Sequence, residues 1–276
     1  MKILFCGVRG STPAPGYEFA RYGGNTSCVA LSHDGEEPSL VLDAGTGLAR
    51  LSRHLEDRPF RGTILLGHLH WDHTHGIPFF PAGDNPGSDV TVVMPAQGDP
   101  EAVLERAISP PHFPIVPREL RGHWRFSALE PGEHRFEGFA VLAQEIPHKG
   151  GRTFGYRVND GGGSLAYLSD HSPVGLGEGP DGLGAYHPAA LTLAADVDVL
   201  IHDSQYTATE FPARADFGHS AVEYAVGLAA EARARLLVLF HHDPSRTDEQ
   251  VDALVRALAD SPVDVVAAAE GMTLEL

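Results

Sequence analysis

Gly62-Thr-Ile-Leu-Leu-Gly-His-Leu-His-Trp-Asp-His-Thr-His-Gly-Ile-Pro-Phe-Phe80 decides how the rest of the chain is read. Residues 63–66 are an apolar, β-rich run too short for a helix, and Gly67 ends it, so they predict a buried strand. Ligand-type side chains begin where that strand stops: His68, His70, Asp72 and His73. In extended backbone His68 and His70 point to one side, because side chains alternate with period two, and the turn that follows can bring Asp72 and His73 back toward them. Four such groups in six residues are more than one tetrahedral ion needs. Neutral imidazole suits zinc, manganese or iron, and a neighbouring carboxylate favours a hard, Lewis-acidic hydrolytic metal over a thiolate structural site. The competing reading is a His-rich surface turn.

The chain has 276 residues, enough for a sizeable core, with 42% apolar and 21% charged residues, ordinary values for a globular protein. The apolar stretch at the start is interrupted by Arg9 and is too short for a signal peptide, and no run approaches a membrane span; a cytoplasmic protein without membrane partners is expected. Cys6 and Cys28 are the only cysteines and fall in strand-like stretches, so buried, inert thiols are expected. With 37 acidic and 20 basic residues the formal charge is −17, which disfavours tracking along a long nucleic acid, whose binding depends on Lys and Arg neutralising phosphates. A small phosphate ester is still compatible, because bound divalent ions reverse the local field.

Strands are predicted at 2–8, 27–32, 39–43, 89–94, 124–128, 139–145, 153–158, 164–168, 197–201 and 236–240, and helices from Thr46 as N-cap to about Glu56 and at 99–108, 187–194, 219–232 and 248–259. Residues 9–24 form a Pro/Gly-rich loop whose end, 21–27, reads either as a lining of the site or as a tight turn. Residues 109–117 carry four prolines and predict a stiff surface segment, a candidate wall of a substrate cleft. Five apolar strands end in His or Asp: at Asp43, His148, Asp170, His202-Asp203 and His241-His242-Asp243. Ligand sites in mixed α/β folds collect at strand ends, so one site assembled from distant segments is expected. His33, His54, His75, His112, His123, His134 and His187 read as ordinary surface or loop residues. No short-period repeat or linker breaks the chain, and 1–276 reads as a single domain.

His68-x-His70-x-Asp72-His73 resembles the signature of the metallo-β-lactamase superfamily. The stretches His202-Asp-Ser-Gln-Tyr, Gly218-His219-Ser220 and Leu237-Val-Leu-Phe-His241 are most similar to its ribonuclease Z and cyclic-phosphodiesterase branch. The resemblance implies an α/β fold, a four-layer αββα sandwich. It implies two divalent metal ions, zinc foremost and manganese or iron as alternatives. One takes His68, His70 and His148, the other Asp72, His73 and His241, and Asp170 bridges them with a hydroxide nucleophile. His242, next to the matching position, is the alternative last ligand. Asp43, at the end of its strand, reads either as orienting a ligating His from behind or as satisfying local backbone donors, the former being favoured. Asp72, His219 and Asp203 are the implied catalytic residues, with His219 as the acid that protonates a leaving alkoxide and Asp203 as its partner where ribonuclease Z has Glu. Ribonuclease Z carries a long tRNA-gripping arm between the matching third His and bridging Asp, whereas only residues 149–169 lie there in this chain. The expectation is therefore a hydrolase acting on small phosphodiesters, such as cyclic nucleotides or short oligonucleotides. The alternatives are an acyl-ester, thioester or lactone hydrolase, tRNA 3′-processing, a di-iron flavoprotein and a non-catalytic metal-binding module. A homodimer is left open.

Overall fold

The computed structural model describes residues 1–173, 175 and 177–276. Its strands form two seven-stranded mixed sheets. The first contains β1 (Lys2–Gly7), β2 (Cys28–Ser32), β3 (Leu40–Leu42), β4 (Arg61–Leu65), β5 (Asp89–Pro95) and β6 (His123–Leu129). The second runs through β7 (Gly132–Phe136), β8 (Phe139–Glu145), β9 (Phe154–Asn159), β10 (Ser164–Leu168), β11 (Val199–Asp203), β12 (Leu236–Phe240) and β13 (Asp264–Ala267). The last strand, β14 (Thr273–Glu275), returns to pair antiparallel with β1. In spatial order the sheets are β14-β1-β2-β3-β4-β5-β6 and β7-β8-β9-β10-β11-β12-β13. Each begins with three antiparallel pairings and finishes with three parallel ones.

The four layers follow from side-chain alternation. Ile3, Phe5, Leu40 and Leu42 of the first sheet meet Tyr156, Leu165, Tyr167, Val238 and Phe240 of the second in a core between the sheets. The intervening Leu4, Cys6, Val41 and Ile64 face outward onto α1 (Leu48–His54) and Leu104 of α3 (Pro100–Glu105). On the far side Ala166, Leu168, Leu237 and Leu239 receive α4 (Pro188–Ala194), α5 (Val222–Glu231) and Val251 of α6 (Asp248–Ala257). The remaining helix, α2 (Trp71–Thr74), follows β4 and belongs to the site. Strands covered on both faces, such as β3, β10 and β11, are buried throughout, and β12 is buried but for Leu236, which is why they read as continuous apolar runs. This is the αββα sandwich that the resemblance implied. Cys6 and Cys28 are buried free thiols, and burial pushes the Cys28 thiol well up.

Several boundaries differ from expectation. Thr46 is not an N-cap: its Oγ1 accepts from Thr26 N and its own N–H donates to Thr26 Oγ1, both at 2.9 Å, so it staples two loops while α1 starts at Leu48. The helix expected from His219 begins at Val222, leaving His219 and Ser220 in extended approach to it. Strands β7, β13 and β14 go beyond the expected set: all three are sheet edges, and exposed polar residues such as Glu133 and Arg135 break up the apolar pattern there. Among the described residues no helix is long and apolar enough to cross a membrane.

Candidate metal centre

Parallel strands deliver their carboxyl ends to one edge, and the side chains there converge. Asp43 follows β3, His68 and His70 lie between β4 and α2, Asp72 and His73 are on α2, Asp170 follows β10, Asp203 ends β11 and His241 follows β12. His148 enters from the loop between β8 and β9. Asp43, Asp170 and His241 turn out of their strands through left-handed backbone, at φ 62°, 56° and 59°.

Three groups have potential ligand atoms within 4.8 Å of one another: His68, His70 and His148; Asp72, His73, Asp170 and His241; and Asp170, Asp203, His219 and His241, the last two sharing Asp170 and His241. The structure thus brings together all seven side chains named as ligands from sequence. Asp170 is central: Oδ2 lies 3.0 Å from His73 Nε2 and 3.3 Å from His241 Nε2, and Oδ1 lies 3.9 Å from His68 Nε2 and 3.8 Å from His148 Nε2. Asp72 Oδ2 sits 3.2 Å from His73 Nε2 and 3.1 Å from His241 Nε2, and accepts the Ser11 N–H at 2.7 Å. His242 points elsewhere: its ring is hydrogen-bonded to Ala268 O at 2.9 Å, and burial holds it neutral, down to about 3.

A second set of contacts orients the imidazoles. Asp43, fully buried, accepts from His73 Nδ1 at 2.7 Å, from Tyr167 Oη at 2.7 Å and from Gly67 N at 2.6 Å. His148 Nδ1 donates to Gly218 O at 2.6 Å, and His241 Nδ1 donates to Gln205 Oε1 at 2.9 Å. Each contact occupies Nδ1 and leaves Nε2 for the centre, the usual way a ligating histidine has its tautomer set. Asp203 receives Gln205 N and Ser220 N on Oδ1, at 3.1 and 3.0 Å, and His219 Nδ1 on Oδ2 at 2.8 Å. The carboxylate reaches His219 despite being one methylene shorter than Glu.

These donors fit a pair of divalent cations. His68 Nε2 and His73 Nε2 are buried with no hydrogen-bond partner, a deficit that a cation would remove. Imidazole and carboxylate, with no thiolate, make a donor set for zinc, manganese or iron. Burial, assisted by charge on His73, drives the His68 imidazole well below its ordinary range, so it offers a lone pair. Burial also lowers His148, to about 4. For Asp170 burial opposes the charge, but His241 and His73 outweigh it and keep the carboxylate ionised. Burial likewise opposes charge on His219, and Asp203 with Asp170 and Asp72 outweighs it, lifting the imidazole to about 9.

Ser11, Leu69, His70, Trp71, Asp72, Asp170 and His219 line an open cleft of about 380 Å³ over these donors. Residues 109–117 are absent from that lining, so the Pro-rich segment is not its wall. Arg9 does not reach the cleft: it is fully buried and donates to the carbonyls of Gly23, Asp243 and Arg246. Arg152 is engaged by Glu130 and Glu145. The turn 21–27 is structural, with Asn25 held by Glu270 and the Arg21 and Tyr22 amides by Asp248. Ser11, Gln205 and Tyr167 escaped the sequence reading. Only Gln205 had a signal, its place two residues after Asp203.

A sequence model described as a β-lactamase superfamily domain matches residues 39–242. The chain belongs to that superfamily. Within it, the chain is 26% identical to a ribonuclease Z of Geobacillus kaustophilus over 287 aligned residues, covering 87% of this chain and 88% of the relative. Two solved structures share the metallo-β-lactamase fold. The metallo-β-lactamase fold protein YhfI of Bacillus subtilis superposes with a TM-score of 0.74 at 17% identity, covering 99% of each chain. A diphosphatase of the PhnP family gives the same TM-score and identity, with 100% of this chain and 97% of that one covered.

Proposed function

We propose that this superfamily member is a hydrolase with two divalent cations, zinc foremost, that cleaves phosphodiester bonds in small substrates such as cyclic nucleotides or short oligonucleotides. The observation carrying this reading is the placement of Asp170, whose Oδ2 lies 3.0 and 3.3 Å from His73 and His241 and whose Oδ1 faces His68 and His148 at 3.9 and 3.8 Å, in a cleft that also holds His219. His68, His70 and His148 would hold one cation and Asp72, His73 and His241 the other, with Asp170 common to both. Such a pair, when bound, supplies a water of lowered pKa and neutralises charge on the phosphoryl oxygens.

The chain's own residues supply the rest. Asp72 is held in place by the Ser11 amide, and Asp43 and Gln205 keep His73 and His241 in one tautomer. His219 has Nδ1 committed to Asp203, so the proton it can give to a leaving alkoxide sits on Nε2. General-acid help of that kind contributes roughly 10²- to 10⁴-fold. A small substrate is supported by the modest cleft, the net charge of −17 and the simple hairpin of β9 and β10 where an arm would project. The likeness to ribonuclease Z over most of both lengths favours a second reading, cleavage of a tRNA precursor.

The test is metal analysis of the purified protein together with turnover of 2′,3′- and 3′,5′-cyclic nucleotides, a bis-aryl phosphate, an acyl ester and a tRNA precursor. Turnover of the acyl ester alone overturns the proposal, and cleavage of the precursor alone transfers it to the second reading. Asp170→Ala should strip one or both metals, whereas His219→Ala should keep both and lose about 10²- to 10⁴-fold in kcat. Equal metal loss in the two variants contradicts the separate roles.

A further inference from the structure

Trp71 is 66% exposed and lies between two donor residues, His70 and Asp72. The geometry of α2 explains why position 71 faces outward. His73, two residues on, is fully buried, and residues two apart on a helix point to roughly opposite sides. Nothing in that geometry demands a large aromatic ring there, since a polar residue would satisfy an outward position equally well. The ring is nevertheless held in a defined orientation: His75, one turn later on the same face, stacks on it with centroids 5.5 Å apart and planes 16° from parallel. Trp71 also lines the cleft, beside Leu69 and above the Asp72, Asp170 and His219 floor. The cleft therefore pairs an apolar, planar flank with a floor whose carboxylates, once they hold the cations proposed above, would receive an anion, and a phosphoester bearing a flat ring presents both chemistries.

We propose that Trp71 is a specificity-determining residue, a platform on which the aromatic ring of a nucleotide-type phosphoester stacks while its phosphate rests over the cleft floor. This rests on the phosphoester reading of the site and narrows its substrate class. A base on an aromatic side chain is recognised by its π face, so the platform selects for a ring without reading which base it is. The ring adds little to the fold, because most of its surface is already in water.

The experiment is calorimetric titration of the metal-loaded protein with adenosine 5′-monophosphate and with ribose 5-phosphate, repeated on Trp71→Ala and Trp71→Phe. The nucleotide should bind the native protein at least about tenfold more tightly than the sugar phosphate, Trp71→Ala should lose about tenfold for the nucleotide, and Trp71→Phe should retain most of the affinity. Melting temperatures of the variants should match the native protein. Equal affinity for the two ligands, or undiminished nucleotide affinity in Trp71→Ala, overturns the proposal. Because binding is read without turnover, a protein that stacks the nucleotide but cleaves no phosphodiester would refute the hydrolytic reading and leave this one standing.

Discussion

Replacing Asp43 by Asn tests whether the centre depends on what lies behind its ligands. Asn is nearly isosteric and tolerates the left-handed backbone at φ 62°, so the substitution leaves chain geometry alone and changes only what the side chain can accept. Asp43 accepts three bonds, from His73 Nδ1, Tyr167 Oη and Gly67 N, and an amide has only one accepting oxygen. If that oxygen keeps Gly67, its NH₂ faces His73 Nδ1. The imidazole can accept there only by carrying its proton on Nε2, the atom needed as a lone pair. A buried donor left unsatisfied costs about 1–3 kcal/mol, which in a chain of this order lowers the melting temperature by about 3–10 °C. Loss of an orienting partner typically weakens metal binding about 10- to 100-fold. Zinc titration should therefore show one affinity, that of the Asp72, His73 and His241 group, reduced by that factor, with the three-histidine group less affected. Native affinities for both ions together with an unchanged melting temperature would refute the reasoning.

Two further substitutions change residues that are not themselves ligands. Gly10→Ala places a methyl 2.4 Å from His241 Nδ1 and 2.6 Å from Gln205 Oε1, so it should cost about 1–3 kcal/mol and weaken the metal group containing His241; native metal content and stability would show that the loop moves aside. Arg9→Met removes a buried guanidinium that ties the carbonyls of Gly23, Asp243 and Arg246 together beside Asp248, and should cost about 3–5 kcal/mol, read as a lowered urea midpoint; an unshifted midpoint would show that those carbonyls find other partners.

The donors were legible because each follows an apolar run long enough to read as a strand. His68 after 63–66 and His241 after Leu236–Phe240 announce themselves by an abrupt change from apolar to polar. His219 was found through its Gly-His-Ser setting, but its place was misread. An imidazole followed by an amphipathic stretch looks like the start of a helix, and only the Asp203 carboxylate, which takes the Ser220 amide, shows why the chain stays extended to Ala221. Thr46 misled for a related reason, since its reciprocal bonds with Thr26 involve a residue twenty positions away. Tyr167 could not be read as a site residue, and Gln205 was marked only by its place two residues after Asp203. Each acts through one contact, to His241 or to Asp43, that exists only once strands distant in sequence lie side by side. Of the four edge strands only β6 was legible, because β7, β13 and β14 are short and their residues answer to solvent as much as to the core.

Asp43, Asp170 and His241 share a conformation that side chains other than glycine adopt reluctantly, and each is also a group for which glycine could not substitute without removing a donor or its support. The local backbone preference and the chemistry of the centre therefore pull in opposite directions at the same three hinges of the chain. Glycine would ease the backbone at each of them, but at Asp43 it would leave the Gly67, His73 and Tyr167 donors without an acceptor, so relaxing that hinge loosens the packing behind it.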